Sequence, residues 1–126
     1  MMMVLDSSAI LAILFSEPGR ERVVEVLDDS VVSSVNLAEV ITKLIEAGYS
    51  DEQAERSVDA FLPIAADLNA SIAIEAGLLR RSTKKQGLSL GDRCCLATAK
   101  QFGATALTAD RNWVDIDLPC KVELIR

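Results

Sequence analysis

Four carboxylates carry the chemistry available to this chain: Asp6, Glu39, Asp92 and Asp110, spread over most of its 126 residues. There is no histidine. That excludes Ser-His-Asp and Cys-His nucleophile systems, imidazole general bases and every metal site that needs an imidazole. Cys94, Cys95 and Cys120 are odd in number and lack C-x-x-C spacing, so neither a disulfide framework nor a zinc knuckle is expected. They read as buried thiols of a reducing compartment. Carboxylates, hydroxyls, thiols, lysines and arginines remain for chemistry. Two carboxylates ~5 Å apart repel by roughly 3 kcal/mol at an effective dielectric of about 20. A hard divalent cation offsets that repulsion, and an all-oxygen ligand set suits Mg²⁺ or Mn²⁺ rather than zinc or copper. Such ions polarise a phosphate and lower the pKa of water, which is what phosphodiester hydrolysis requires.

The elements must bring these acids together. Met2–Leu5 is an apolar run suited to a buried strand, followed by a short helix to Phe15 that Ser7 or Ser8 can cap, ended by Glu17-Pro18-Gly19. Helical spacing continues over Arg20–Leu27. Val31–Ser33 reads as a second strand, and Ser34 can cap a helix to Ala47 before Gly48. Ser50-Asp51-Glu52-Gln53 has capping-box spacing and opens a helix to Leu62, stopped by Pro63. Ile64–Ala66 is a weak third strand, Asn69–Ser82 a helix, and Lys84–Leu88 its exit loop. Ser89 can cap a helix over Leu90–Phe102 that Gly103 terminates. Thr105–Thr108 is a fourth strand, Asp110–Trp113 a turn, and Val122–Ile125 a last strand. Strands separated by helices imply crossovers and a mainly parallel sheet covered on both faces, an α/β fold in three layers. The length fits a single domain over residues 1–126.

In such sheets ligands sit at the carboxyl ends of the strands. Asp6 follows the first strand and Asp110 the fourth, while Glu39 and Asp92 lie near the starts of helices that begin at that edge. Each acid also has a plainer explanation. Asp6 sits between two apolar runs, where a merely solvated charge is awkward, yet it could serve as a helix cap. Asp92 shares a helical face with Cys95, Leu96 and Ala99 and so points inward. Glu39 falls opposite the core face formed by Leu37, Val40, Ile41 and Leu44, and an i,i+4 ion pair with Lys43 explains it equally well. Asp110 could be an ordinary turn acid.

At these four positions the sequence resembles the PIN-domain ribonucleases, most closely the VapC-type toxins of toxin–antitoxin pairs. The matching segments are Val4-Leu5-Asp6-Ser7-Ser8-Ala9, Ser34-Val35-Asn36-Leu37-Ala38-Glu39-Val40, Leu88-Ser89-Leu90-Gly91-Asp92-Arg93-Cys94-Cys95-Leu96-Ala97 and Leu107-Thr108-Ala109-Asp110-Arg111-Asn112-Trp113. The resemblance runs over essentially the whole chain, in order. It implies a five-stranded parallel sheet between helices and an acidic pocket for Mg²⁺ or Mn²⁺. It also implies RNA cleavage that leaves 5′-phosphate and 3′-hydroxyl ends, by a homodimer silenced by a small antitoxin. Asp6, Glu39, Asp92 and Asp110 match the acidic quartet, with Asp6 and Asp92 as direct metal ligands. Glu39 and Asp110 would act through water or a second ion. Ser7 and Thr108 match small polar positions beside the first and last acids. Trp113 stands where the family often has phenylalanine. The resemblance places Glu39 in the site against the wheel reading.

The basic residues carry less. Arg80, Arg81, Lys84 and Lys85 cluster beside the loop leading to Asp92, and Arg93 and Arg111 adjoin acids of the quartet; any of them could meet RNA phosphates. A solvated helix end, or an ion pair, explains them as well. The net charge of −6 argues against wholesale coating of nucleic acid by a basic surface. Five aromatic residues in all leave no visible base-stacking platform. The longest apolar run, Ala9–Phe15, is far short of a membrane span, and no signal peptide precedes the first strand, so a soluble cytoplasmic protein is expected. Two other readings compete. One is a catalytically weak scaffold for binding a partner; the other is a DNA-directed nuclease or a phosphatase. A dehalogenase-type phosphatase needs an acid two residues after the first, where Ser8 stands, and a phosphoacceptor receiver needs neighbouring acids there.

Overall fold

The computed structural model describes residues 2–126. Five strands, β1 (Met3–Leu5), β2 (Ser30–Ser33), β3 (Ala65–Ala66), β4 (Thr105–Thr108) and β5 (Val122–Leu124), form one sheet in the order β3-β2-β1-β4-β5. Every pairing is parallel. Among the described residues the α-helices are α1 (Ser7–Leu14), α2 (Arg20–Val26), α3 (Ser34–Glu46), α4 (Asp51–Ser57), α5 (Ala70–Leu78), α6 (Arg80–Thr83) and α7 (Leu90–Phe102). The α/β expectation of a mainly parallel, five-stranded sheet holds.

Alternation along the strands divides the core in two. Met3, Leu5, Val32 and Leu107 pack with Ala9, Ile10, Val40, Leu44 and Phe61 on one face. Val4 and Ala106 point the other way, onto Ile72, Ala76, Cys95, Leu96, Ala99 and Trp113. A period of two thus produces the three layers. Strands buried on both faces need no polar side, which is why the first reads as an unbroken apolar run. The chain starts in the middle of the sheet, moves out through β2 and β3, then crosses to β4 and β5. The order therefore reverses between β1 and β4. Connections leaving those two strands diverge, and a crevice opens at their carboxyl ends.

Several local expectations shift. The N-cap of α1 is Asp6, without a side-chain cap bond; Ser7 and Ser8 lie inside the helix and turn their hydroxyls elsewhere. The cap of α3 is Ser33, whose hydroxyl accepts from Val35 N, rather than Ser34. The helix expected from 51 to 62 ends at Ser57 and gives way to a 3-10 turn over Asp59–Ile64 that contains Pro63. Proline cannot donate and crowds the preceding turn, so the chain tightens before entering β3. The helix expected over Asn69–Ser82 breaks at Leu79 into α5 and the single turn α6. The capping boxes at Ser50 and Ser89 form as their spacing predicts.

Candidate active site

All four acids stand at the crevice. Asp6 leaves the end of β1, where its N–H donates to Leu107 O at 2.9 Å and extends the β1–β4 ladder by one bond. Asp110 follows β4. Glu39 lies in the second turn of α3, which starts where β2 ends, and Asp92 in the first turn of α7, which runs back toward the start of β4. They line one cleft of about 230 Å³ together with Ser7, Ser8, Leu11 and Lys43.

Asp6 is 3% exposed. Its Oδ2 accepts from Ser8 Oγ at 2.7 Å and from Thr108 Oγ1 at 2.8 Å. Both hydroxyl protons are spent on that one oxygen. Ser8 Oγ then accepts from Ala109 N at 2.9 Å, and Thr108 Oγ1 from Asp110 N at 3.0 Å. The first acid is thereby tied to the backbone that carries the last. Asp6 Oδ1, by contrast, is buried with no partner. Burial raises the Asp6 pKa to about 6, against the pull of Ser8 and Thr108; the charges of Asp92 and Glu39 push the same way as burial.

Asp92 is half-buried and closes the α7 capping box: its Oδ2 accepts from Ser89 N at 2.9 Å, while Ser89 Oγ accepts from Asp92 N at 3.1 Å. Cys95, Leu96 and Ala99 on its face are buried, as the wheel predicts. Desolvation raises its pKa, and Glu39 and Asp110 add to the rise while Ser89 opposes it. Asp110 caps the turn Arg111–Trp113, with Oδ1 accepting from Asn112 N at 2.9 Å.

The wheel reading of Glu39 as a surface ion-pair partner of Lys43 is overturned. Lys43 Nζ stands 3.7 Å from Glu46, and Glu39 is half-buried. Its Oε1 accepts from Ser7 Oγ at 2.5 Å and from Asn36 Nδ2 at 3.0 Å. The wheel fails because it tests one helix against an apolar core. Glu39 meets a polar crevice assembled by α1 and α7. Ser8 and Asn36 are the functional neighbours that sequence reasoning misses. Ser8 reads in the chain as a helix cap, and its bond to Asp6 depends on the fold. Asn36 lies three residues before Glu39, one helical turn away, which is the one signal that points to it.

The basic residues singled out in the sequence are not gathered at the acids; the base in the cleft lining is Lys43. Arg80, Arg81, Lys84, Lys85 and Arg111 are exposed, and none lines the cleft. Arg93 Nη1 donates to Ala76 O at 3.0 Å, pinning α7 to α5. Cys94 and Cys95 are buried core residues whose thiol pKa values are pushed up by desolvation, as expected of packing rather than reactivity.

The donor set fits a hard divalent cation. It is all oxygen, its four acids share the cleft with one basic side chain, Lys43, and it holds one buried carboxylate oxygen with nothing to accept. Among the described residues no three acidic or thiol side chains form a ready-made cluster that could hold a metal ion. Mg²⁺ commonly keeps several waters and takes only one or two carboxylates directly, so an open arrangement is consistent with it.

Comparison with known proteins points one way. The profile of the PIN domain matches residues 3–118. A DNA-bound VapBC from Salmonella typhimurium is similar in structure with a TM-score of 0.76 at 22% identity, over 100% of this chain and 99% of that one. VapBC2 from Rickettsia felis, bound to a DNA fragment from its promoter, gives 0.75 at 20% identity over 98% of each chain. VapBC-5 from Mycobacterium tuberculosis, a member of the VapBC family of toxin–antitoxin systems, gives 0.65 at 20% identity over 99% and 98%. Identities this low speak to the fold. No match was found among curated proteins.

Proposed function

The chain belongs to the PIN domain family, and from that premise we propose that it is a divalent-metal-dependent endoribonuclease, the toxin of a toxin–antitoxin pair. One observation carries the reading: four acids from four separate stretches share a single crevice at the switch point of the sheet, one of them buried with an unpartnered oxygen.

Asp6 and Asp92 would hold the cation, Mg²⁺ or Mn²⁺, and Glu39 and Asp110 would act through water or a second ion. When bound, the cation supplies Lewis acidity to a phosphodiester and to water. The protein's part is positioning. Ser8 and Thr108 hold Asp6 Oδ2 so that Oδ1 is left to accept. Ser7 and Asn36 hold Glu39. The N-terminal end of α7 places its positive dipole beside Asp92, which favours ionised acids there. Arg80, Arg81, Lys84 and Lys85 are exposed and available to RNA phosphates away from the cleft, and Arg111 beside Asp110 is exposed as well. Arg93, held by Ala76 O, is less available. A small antitoxin would silence the enzyme, and a homodimer is the expected assembly. The solved VapBC complexes, which share this fold, support a partner of that kind. No helix among the described residues is long and apolar enough to cross a membrane.

The test is cleavage of total cellular RNA by purified protein with Mg²⁺ or Mn²⁺ against EDTA, alongside Asp92→Asn. Cleavage should need metal, leave 5′-phosphate ends, and fall at least a hundredfold in a variant that stays folded. A variant as active as wild type would mean the site is misplaced. Absence of cleavage by either protein would favour a partner-binding scaffold.

A further inference from the structure

Glu39 is the member of the quartet that its own helix does not explain. Its carboxylate crosses from α3 to the first turn of α7 and lies against the bare Cα of Gly91, where an added Cβ would overlap Glu39 Cδ and both carboxylate oxygens. Gly91 has no positive φ, so its backbone does not require glycine. Inside a helix glycine is less favourable than alanine. The missing side chain is what the site uses.

Asn36, fully buried, faces the same spot. Its Nδ2 lies 3.0 Å from Ser7 Oγ, 3.0 Å from Glu39 Oε1 and 3.2 Å from Gly91 O. A carboxylate and a carbonyl can only accept, which settles that the amide nitrogen points toward them. Ser7 gives its own proton to Glu39, so toward Asn36 it too accepts, and the two amide protons are shared among these three acceptors. The amide oxygen is buried without a partner, a penalty borne for what the nitrogen holds. Groups from α1, α3 and α7 thus converge on one carboxylate.

We propose that Asn36 and Gly91 jointly set where the Glu39 carboxylate stands: Asn36 is a positioning residue that clamps it, and Gly91 is the opening that admits it beside Asp92. The consequence for catalysis rests on the nuclease reading; the coupling itself does not. Thermal melts of wild type, Gly91→Ala, Glu39→Ala and the double variant test the coupling. Gly91→Ala must push the Glu39 carboxylate, the far end of a flexible side chain, off its bonds to Ser7 and Asn36, so the substitution should lower the melting temperature modestly when Glu39 is present. It should leave the temperature unchanged or raise it when Glu39 is alanine, because the collision is gone and alanine favours the helix. The same drop in both backgrounds would overturn the role of Gly91. Asn36→Leu, close in volume and without a donor, is read by Mn²⁺ calorimetry and RNA cleavage. Mn²⁺ affinity should weaken at least fivefold and kcat fall at least tenfold, with KM for RNA within twofold of wild type. Wild-type affinity and kcat in that variant would overturn the role of Asn36. If Asn36→Leu does not fold, the Gly91 cycle decides the proposal alone. If wild type neither binds Mn²⁺ nor cleaves RNA, the nuclease reading fails while the melts still decide the coupling.

Discussion

Asp6 shows what burial does to a single carboxylate. Its folded pKa of about 6 stands above the ordinary value of 3.8, so the folded chain holds that proton more tightly than the unfolded chain does. Protonation therefore favours folding, and the contribution is present below the ordinary value and lost as pH climbs through about 6. At about 1.4 kcal/mol per pH unit the loss is on the order of 3 kcal/mol. Asp92 is shifted in the same direction and adds to it. Glu123, lowered by Arg22, works in the opposite sense but below its ordinary value of 4.5. Urea unfolding of metal-free protein should therefore show stability falling between pH 4.5 and 7, and Asp6→Asn should flatten most of that slope. An equal slope in the variant would place the titrating group elsewhere.

At the scale of elements, α7 carries the most. It supplies Asp92 and Gly91 to the crevice and Cys95, Leu96 and Ala99 to the core, and it packs against α5 and α3. Its start is held by the reciprocal bonds of Ser89 and Asp92. Ser89→Ala removes one of them and should cost about 1 kcal/mol of stability. Because the turn that orients Asp92 loosens at the same step, RNA cleavage should fall further than the stability change predicts. Differential scanning calorimetry beside a cleavage assay separates the two. The far edge of the sheet is tied differently: Arg22 donates to both carboxylate oxygens of Glu123 at 2.6 and 3.0 Å, joining α2 to β5. That pair is exposed by about a third, and its worth is small.

Over the whole molecule, charge is divided by location. The net charge is −6, four acids meet in the crevice, and the exposed basic residues of α6 and the loop after it lie outside its walls. On the proposed reading, an RNA would meet repulsion at the cleft and attraction at that basic stretch outside it. Substituting Arg80, Arg81, Lys84 and Lys85 together with alanine should weaken RNA binding and flatten its dependence on salt, by about 0.7 in the log–log slope for each phosphate no longer neutralised. Filter binding over a salt series without divalent metal, with Asp92→Asn as the parent, measures it. An unchanged slope would assign these residues to solvent alone.

The layers, the parallel sheet and the shared edge of the four acids are legible in the chain because they depend on local period and on the direction in which a crossover must return. Apolar runs such as Val4-Leu5, caps such as Ser50 and Ser89, and the terminator Gly103 state their roles within a few residues. The acids at the ends of β1 and β4 follow from strand boundaries alone. The turn of Glu39 into the crevice does not follow, since a helical wheel registers burial against apolar neighbours and says nothing of a polar crevice built by two other helices. Only the tertiary structure brings Asn36, Ser7 and Gly91, separated by up to 84 positions in the chain, onto one carboxylate, and only there does the absence of a Cβ acquire a reason. The early end of the helix before Pro63 has a local cause in the proline, and it escapes the reading because apolar spacing over so few residues does not separate a 3-10 turn from an α-helix. Period and direction are properties of a segment; a convergence of side chains is a property of the fold.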